Sequence, residues 1–397
     1  WVIGFRGNGD HPFWYTFKDA PASMKQRGEI INTMMQQQRE IVKQVARDTA
    51  LEFRTIFYDE LSDLLARGFI EPPADTNFIW TYVAARRDHY PNEDVQQLDK
   101  NKNYRLGYYF NYQFTSTGSH LAAGEGPWKM EKNYRFIAGK TNRPLAFSVV
   151  NAGNLREFLM ELSANAVMMW DMKSFSSDAF LLKYSEQYFG RKQAREVAKL
   201  YKTYYDAYWQ QRKPDLEGFD RQYIFQDLRY KRAIAELAEN FLKLPRNQNP
   251  LTDIAAEQLK GRTYRLIPQD NHASDQVSAI IYGTTASAKK FLQVKNKAEA
   301  MVLKIPVAQR TFFKDNLLQP ANYMYYLNES LLQLANGYQE SNQQQKKRYV
   351  TKARKALQQA QQALQSTATG NFRDWYQGDR VFGFKEVFKL LDRISAK

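Results

Sequence analysis

The sequence predicts an α/β part followed by an all-α part. Up to about residue 172, short runs rich in aromatic and β-branched residues alternate with amphipathic helical stretches. From about residue 173 the alternation gives way to long segments of helical apolar spacing, each stopped by Gly or Pro. At 397 residues and 43% hydrophobic content, the chain is long enough for two cores.

In chain order, the expected strands are Trp1–Phe5, Phe53–Phe57, Phe78–Val83, Leu106–Tyr112 and Ala146–Asn151. A long helix over Ser23–Arg47, with Ile30, Ile31, Met34, Ile41, Val42 and Val45 on its apolar side, separates the first two. Tyr58–Ala66 follows the second strand and stops at Gly68, and Leu155–Trp170 follows the fifth. Strand, loop, helix, strand is the grammar of a parallel α/β sheet. Five such strands are too few for a closed eight-stranded barrel. A strand at residue 1 reads as a chain entered midway, and Trp1 follows no initiator Met or signal peptide. The expectation for 1–172 is therefore the later, C-terminal part of a (β/α)8, TIM-like barrel, carried by an N-terminally truncated fragment or a processed chain.

The second part, 173–397, reads as an antiparallel helical bundle. "DAFLLKYSEQYFG" ends at Gly190, the next helical run ends at Pro214, and a third ends at Pro245. Helices resume at Val307–Leu334, Gln344–Leu364 and Phe384–Ile394. Residues 246–304 are less regular, and "GRTYRLIP" and "VSAIIYGTT" suggest a small β insertion there.

Composition narrows the chemistry. The chain has no cysteine, which excludes disulfides, thiolate metal sites and a Cys nucleophile. Its four histidines, His11, His89, His120 and His272, are far apart and form no HExxH pattern. There is no phosphate-binding loop of the GxxxxGK[ST] type, "RGNGD" does not match GxGxxG, and there is no GxSxG elbow. No metal or cofactor is therefore expected, and no stretch is long and apolar enough to predict a membrane span. The net charge of +15 favours polyanions, although solvated helix faces such as Gln344–Lys355 account for part of it. Aromatic residues make up 14%, enough for sugar platforms and equally for helix packing.

In a parallel barrel the chemistry lies on the loops after the strands' C-terminal ends. After the first strand, Arg6, Asn8, Asp10, His11 and Trp14 crowd one glycine-containing turn. Arg6 has a planar fork suited to a carboxylate, and Asp10 is a candidate base; the bland alternative is a turn in which the two pair. After the second, Glu60 and Asp59 stand at a strand–helix junction, as catalytic acid or base or as helix-terminal charges. Around the third, Trp80 offers a sugar face, and Arg86 and Arg87 offer anion contacts or merely a basic surface turn. The fourth supplies Asn111 and the rings Tyr108, Tyr109 and Tyr112, which cannot all face one side. The fifth supplies Asn151 and Asn154, the latter also suited to helix capping. Glu157 and Glu161, four apart on one expected helix face, are further carboxylates.

Taken in order, these segments resemble glycoside hydrolase family 115, the inverting α-glucuronidases of bacterial xylan breakdown. "WVIGFRGNGDHPFW" is similar to the family's Arg-Gly-x-Gly-Asp strand end, and "FRTIFYDELSDLLARG" to its next strand and helix with Tyr-x-Glu. "RLGYYFNYQF" and "SVVNAGNLREFLMEL" resemble the fourth and fifth strand ends. "QYFGRKQAREVAKLYKTYYDAYWQQRKPDL", "IPVAQRTFFKDNLLQPANYMYYLNESLL" and "GNFRDWYQGDR" resemble the helical domain that follows. The likeness spans nearly the whole chain except about 246–304.

The resemblance implies removal of 4-O-methylglucuronic acid side chains from glucuronoxylan, and a periplasmic or secreted location. Acidic family positions differ here at three strand ends. Ile79 and Trp80 stand where the family has a pair of aspartates, and Tyr109 or Phe110 with Asn111 stand where it has His and Asp. Gly153-Asn154 replaces Gly-Asp. An inverting glycosidase needs two carboxyl groups roughly 6.5–9.5 Å apart. The expected acid–base pair is thus Asp10 and Glu60, with Arg6, Asn8, Trp80, Arg86, Arg87, Tyr108, Asn111, Asn151 and Asn154 as substrate contacts. The expected function is hydrolysis of an α-linked sugar, such as a uronic acid, from a polysaccharide or oligosaccharide. The alternative is a catalytically inactive carbohydrate-binding relative on the same scaffold. Nucleic acid and membrane are not expected partners, and a homodimer is left open.

Overall fold

Four strands, β1 (Phe53–Phe57), β2 (Phe78–Val83), β3 (Arg105–Asn111) and β4 (Phe147–Asn151), form one parallel sheet in the order β1-β2-β3-β4. The computed structural model describes residues 1–47, 50–71, 77–83, 93–112, 121–122, 126–152, 155–208, 210–212, 220–222, 227–244, 276–376 and 382–396. The chain folds into two compact units that interleave in sequence. The first comprises Trp1–Phe114, Trp128–Ala152 and Asn165–Ser174; the second comprises Thr115–Pro127, Gly153–Ala164 and Phe175–Lys397.

In the first unit the sheet is most deeply buried at its middle strands, while β1 alternates and β4 is half-buried. All six residues of β2 are buried, as expected of a parallel strand in mid-sheet. Trp80 stacks on Phe57 at 4.6 Å and on Tyr104 at 5.5 Å. On β3, Leu106, Tyr108 and Phe110 are fully buried, and the Tyr108 hydroxyl donates to Asn133 Oδ1 at 3.1 Å. The helices of this unit are α1 (Met24–Val45), α2 (Glu60–Ala66), the short α3 (Glu93–Gln96) and α4 (Pro127–Ala138). Ser23 caps α1, its hydroxyl accepting from the Gln26 amide. A further helix, α5 (Leu159–Trp170), runs from the second unit's segment into the first's.

The expected first strand, Trp1–Phe5, is reduced to a single parallel bridge between Val2 and Arg54. Ile3 N donates to Arg54 O at 2.9 Å and Arg54 N to Trp1 O at 2.8 Å. Beyond that, side chains satisfy the segment's backbone. Gln38 of α1 accepts from Gly4 N and donates to Gly4 O, both at 2.9 Å, and the Thr55 hydroxyl donates to Ile3 O. The two amide bonds from Gln38 take the place of a ladder, which is why strand pairing stops here.

The second unit is helical among its described residues, apart from one small hairpin. Its helices include α6 (Ser177–Phe189), α7 (Ala194–Asp206), α8 (Asp227–Leu242), Gln276–Met301, Gln319–Gln339, Gln343–Thr367 and Phe384–Ser395. The run expected to stay helical to Pro214 ends at Asp206, and Gln210–Arg212 pairs antiparallel with Asp220–Gln222. "VSAIIYGTT", expected as a strand, lies inside Gln276–Met301. Its β-branched residues are overridden by a buried helical stripe of Ile280, Thr284, Ser287, Phe291, Val294 and Ala298. "GRTYRLIP" falls outside the described residues.

Lys314–Leu318 is wound as a π-helix directly before Gln319–Gln339. Pro320 lacks the N–H that the α ladder would use at that point, and wider winding absorbs the missing bond. Two internal polar pairs cross between its segments: the Tyr230 hydroxyl donates to Asn328 Oδ1 at 2.7 Å, and Ser287 Oγ to Ala207 O at 2.6 Å. Among the described residues, no helix is long and apolar enough to cross a membrane.

In α1, Gly28 lies against the backbone carbonyl of Phe69, so that an added Cβ would collide with Phe69 O and C. Gly28→Ala is expected to lower stability by about 1–3 kcal/mol by forcing α1 away from that turn. Urea unfolding of the variant checks this, and the same substitution at the open Gly370, where nothing lies within 4 Å, serves as a backbone-strain control.

Candidate active site

Because the four strands are parallel, their C-terminal ends share one edge of the sheet. The β1 exit is the best-defined corner. Phe57 is followed by Tyr58, whose amide turns back to Ile56 O at 3.0 Å. Asp59 then adopts φ 55° and ψ −112°, a region that costs a non-glycine residue about 1–3 kcal/mol. That turn places Glu60 at the start of α2, 5% exposed.

Arg6 meets Glu60 there through two parallel bonds. Its Nε donates to Glu60 Oε1 and its Nη2 to Oε2, each at 2.8 Å. The guanidinium also lies 5.2 Å from the Tyr58 ring centroid. A buried carboxylate and a half-buried guanidinium joined by a fork–fork pair are strongly coupled. Burial raises the Glu60 pKa above the ordinary glutamate value of 4.5, while the hydrogen bond and positive charge of Arg6 pull it down; burial prevails.

The glycine-containing turn that follows Arg6 is held from within. Gly7 N donates to His11 O at 2.7 Å, Asn8 N to Thr16 Oγ1 at 2.8 Å, and Gly9 sits at φ 65°. Phe5 packs on Phe13 at 5.1 Å, and Arg27 lies 4.4 Å over the Trp14 ring. Asn8 and Asp10 therefore belong to a one-turn helix beside Arg6, with Asn8 exposed. The Asp10 side chain lies outside what the structure describes.

At the other end of the same edge, Asn111 and Asn151 are direct partners in the β3–β4 register, and Tyr112 N donates to Asn151 O at 2.9 Å. The structure thus brings these two asparagines together on adjacent strand ends. Trp80 and Tyr108 go elsewhere. Trp80 is 1% exposed between aromatic neighbours, and Tyr108 is fully buried with its hydroxyl engaged. Both are core residues, so neither can offer a face to a sugar. Arg86, Arg87 and Asn154 lie outside the described residues.

Glu157 and Glu161 do not share a helix face, because α5 begins only at Leu159. Within the second unit, Glu157 accepts from Trp375 Nε1 at 2.9 Å and from the Tyr376 hydroxyl at 2.8 Å. Burial raises its pKa, opposed by those donors and by Arg156. Arg156 pairs with Asp315 at 3.0 Å, donates to Thr367 O at 2.8 Å, and stacks on Phe372 at 4.3 Å. Glu161, 2% exposed, accepts from the Tyr205 hydroxyl at 2.6 Å. Sequence spacing missed the Arg6–Glu60 pair, whose members are 54 residues apart. The one sequence signal was a cation and an acid at consecutive expected strand ends. Among the described residues, no group of three or more His, Asp or Glu side chains could hold a metal.

The sequence profile of Glycosyl hydrolase family 115 matches residues 1–216, the stretch that contains this sheet edge. No curated protein matches the chain. Among solved structures, the chain is similar to a family 115 4-O-methyl-α-glucuronidase with specificity for decorated arabinogalactans, at 13% identity and a TM-score of 0.61. The match covers 97% of this chain and 44% of that one, so the chain spans less than half the length of that enzyme. It is also similar to an enzyme of family 138 targeting pectin rhamnogalacturonan II, at 11% identity, a TM-score of 0.43, and 95% and 48% coverage of the two chains. The first likeness is one of fold; the second is too remote to carry an argument.

Two outcomes follow from the β1 exit. Asp59→Gly, which relieves a positive φ, is expected to raise stability by about 1 kcal/mol. Arg6→Ala leaves Glu60 buried without its countercharge and is expected to cost about 3–5 kcal/mol at neutral pH. The sign with pH is fixed by linkage. A raised folded-state pKa means the folded protein holds the proton longer, so Glu60's contribution falls as pH rises through the window above 4.5. Removing Arg6 moves that window higher, so the deficit of Arg6→Ala should shrink as pH is lowered. Denaturant unfolding across an acid-to-neutral series measures it; a pH-independent deficit would count against a protonating Glu60.

Proposed function

This chain belongs to glycosyl hydrolase family 115, whose profile matches its first 216 residues, and on that premise we propose that it is part of an enzyme that hydrolyses an α-linked uronic acid from a polysaccharide. The observation that carries the reading is the family match over the segment holding Arg6, Glu60 and the strand ends. The four neighbouring parallel strands are read as consecutive staves of a (β/α)8 barrel, with the substrate at their C-terminal edge.

The Arg6–Glu60 pair suggests how the chemistry runs. An inverting glycosidase needs one carboxyl that keeps its proton and one that activates water. Glu60 is the acid in this reading, because its burial favours the protonated form. Arg6 opposes that in the free protein by holding both carboxylate oxygens. A uronate arriving at the edge competes for the same planar fork. As Arg6 turns to the substrate carboxylate, Glu60 loses its countercharge, takes up a proton, and delivers it to the leaving glycosidic oxygen. Asp10 is assigned as the base that activates water on the opposite face. Asn111 and Asn151 supply hydrogen bonds to sugar hydroxyls, and Arg86, Arg87, Asn8 and Asn154 remain assigned to the substrate's periphery. No metal or cofactor enters this scheme, and a periplasmic or secreted address is part of the proposal.

A second reading has one specific observation behind it: both oxygens of Glu60 are engaged by Arg6, as in a structural ion pair. On that reading the protein binds glycan without cleaving it. Release of uronic acid from a panel of α-glucuronylated polysaccharides separates the two. The enzyme reading expects release by the wild type and a loss of about 10²–10⁴-fold in Glu60→Gln. Binding without release, unaltered in Glu60→Gln and Asp10→Asn, would establish the second reading instead.

A further inference from the structure

We propose that the outer face of the helix Gln343–Thr367, together with the exposed ring of Tyr338 near the end of the preceding helix Gln319–Gln339, is a non-catalytic binding surface for acidic polysaccharide on the helical unit. That helix carries Lys346, Lys347, Arg348, Lys352, Arg354 and Lys355 and no acid at all. Its first turn, where the backbone dipole favours a carboxylate, holds only glutamines. The buried stripe Val350, Ala353, Leu357, Ala360 and Leu364 faces the core. Lys347, Arg348, Lys352 and Lys355 consequently stand on the opposite, exposed side. Arg354 is taken by Asp392 at 2.5 Å and is not part of the face. Lys347 and Lys355 lie two turns apart, so cations recur at intervals of about 5–6 Å along the axis.

Two features point to a saccharide rather than to a bare phosphate chain. Tyr338 is 40% exposed, propped edge-on by Phe241 at 5.1 Å. Gly337, its neighbour in sequence, packs against the second helix: a Cβ there would lie 3.0 Å from Tyr349 Cβ, and Lys352 Nζ lies 5.8 Å from the Tyr349 ring. Beyond the cations, the exposed side continues with Gln358, Gln362 and Gln365, whose amides can both donate to and accept from hydroxyls. The carboxylate nearest in sequence, Glu340, accepts from the Asn342 amide at the helix entry. An exposed ring for a sugar face, cations for uronates and amides for hydroxyls together fit a polymer with an anionic group on some of its sugars. The choice of acidic polysaccharide rests on the functional reading above.

The test compares the full chain with the triple variant Lys347→Gln/Arg348→Gln/Lys352→Gln and with Tyr338→Ala. The probes are polygalacturonate, a glucuronic-acid-bearing xylan, a neutral xylan and duplex DNA, in affinity electrophoresis at low and high salt. The triple variant is expected to bind both acidic polymers at least tenfold more weakly at low salt, with the difference fading as salt screens the charges. Tyr338→Ala is expected to weaken binding severalfold while leaving its salt dependence intact. All substituted positions are exposed, and thermal melts confirm folding. Equal binding of acidic polymer by the triple variant and the wild type overturns the proposal. So does DNA binding as tight as polysaccharide binding and lost together with it, which would make the face a phosphate-polymer surface. Release of uronic acid from a short glucuronylated oligosaccharide is scored separately. Its absence in the wild type refutes the enzyme reading, and loss of polymer binding in the triple variant would still support the surface.

Discussion

The sheet edge depends on one partly buried ion pair. Glu60 is a carboxylate drawn out of water at the β1–α2 junction, and its nearest countercharge comes from a segment 54 residues earlier. Arg6 can reach it only because the first residues are tied down along β1, by two backbone bonds to Arg54 and by the Gln38 amide on Gly4. The strained Asp59 turn then aims the carboxylate back toward that segment. Sheet edge, helix start and N-terminal segment are thus fixed by each other. A pair built this way costs desolvation on both sides and contributes little net stability. Its value lies in holding two groups of opposite charge at an edge where a charged ligand could compete for one of them.

The helical unit follows a different logic. Its stability comes from close helix packing, as where Gly337 lets the helices Gln319–Gln339 and Gln343–Thr367 approach, and from polar groups paired inside the core. Arg156 and Glu157 form a compact knot within it, gathering Asp315 of the π-helical turn, the Thr367 carbonyl, Trp375 and Tyr376. The π-helix that Pro320 requires is therefore also the place that presents Asp315 to Arg156.

Much of the fold was legible because burial leaves a strong pattern. β1 and β2 fall on the expected residues, since "FRTIF" and "FIWTYV" are apolar runs bounded by polar or turn residues. The long helices near Ser23 and Gln343 declared themselves by their apolar stripes; Ser23 and Asn342 cap them in the structure. What failed were segments where side chains replace backbone pairing, as at Trp1–Phe5, and β-branched runs captured by a helical core, as at Val277–Thr285. At the site, the residue types at the strand ends were legible and their directions were not. Trp80 and Tyr108 look like sugar platforms by composition, yet Trp80 lies on a strand buried along its whole length and Tyr108 on the buried side of β3. Arg6 and Glu60 were singled out separately, but nothing in their spacing announces that they grip each other.

A carbon-13 titration of the Glu60 carboxyl, assigned by its loss in Glu60→Gln, bears most immediately on the role of this ion pair. It is run with and without a glucuronic-acid-bearing oligosaccharide. The expected midpoint lies above 4.5 in the free protein, where burial outweighs Arg6. A further rise is expected when the glycan draws Arg6 away. A midpoint at the ordinary glutamate value that stays unmoved by saturating glycan would contradict a glycan-gated Glu60 acid.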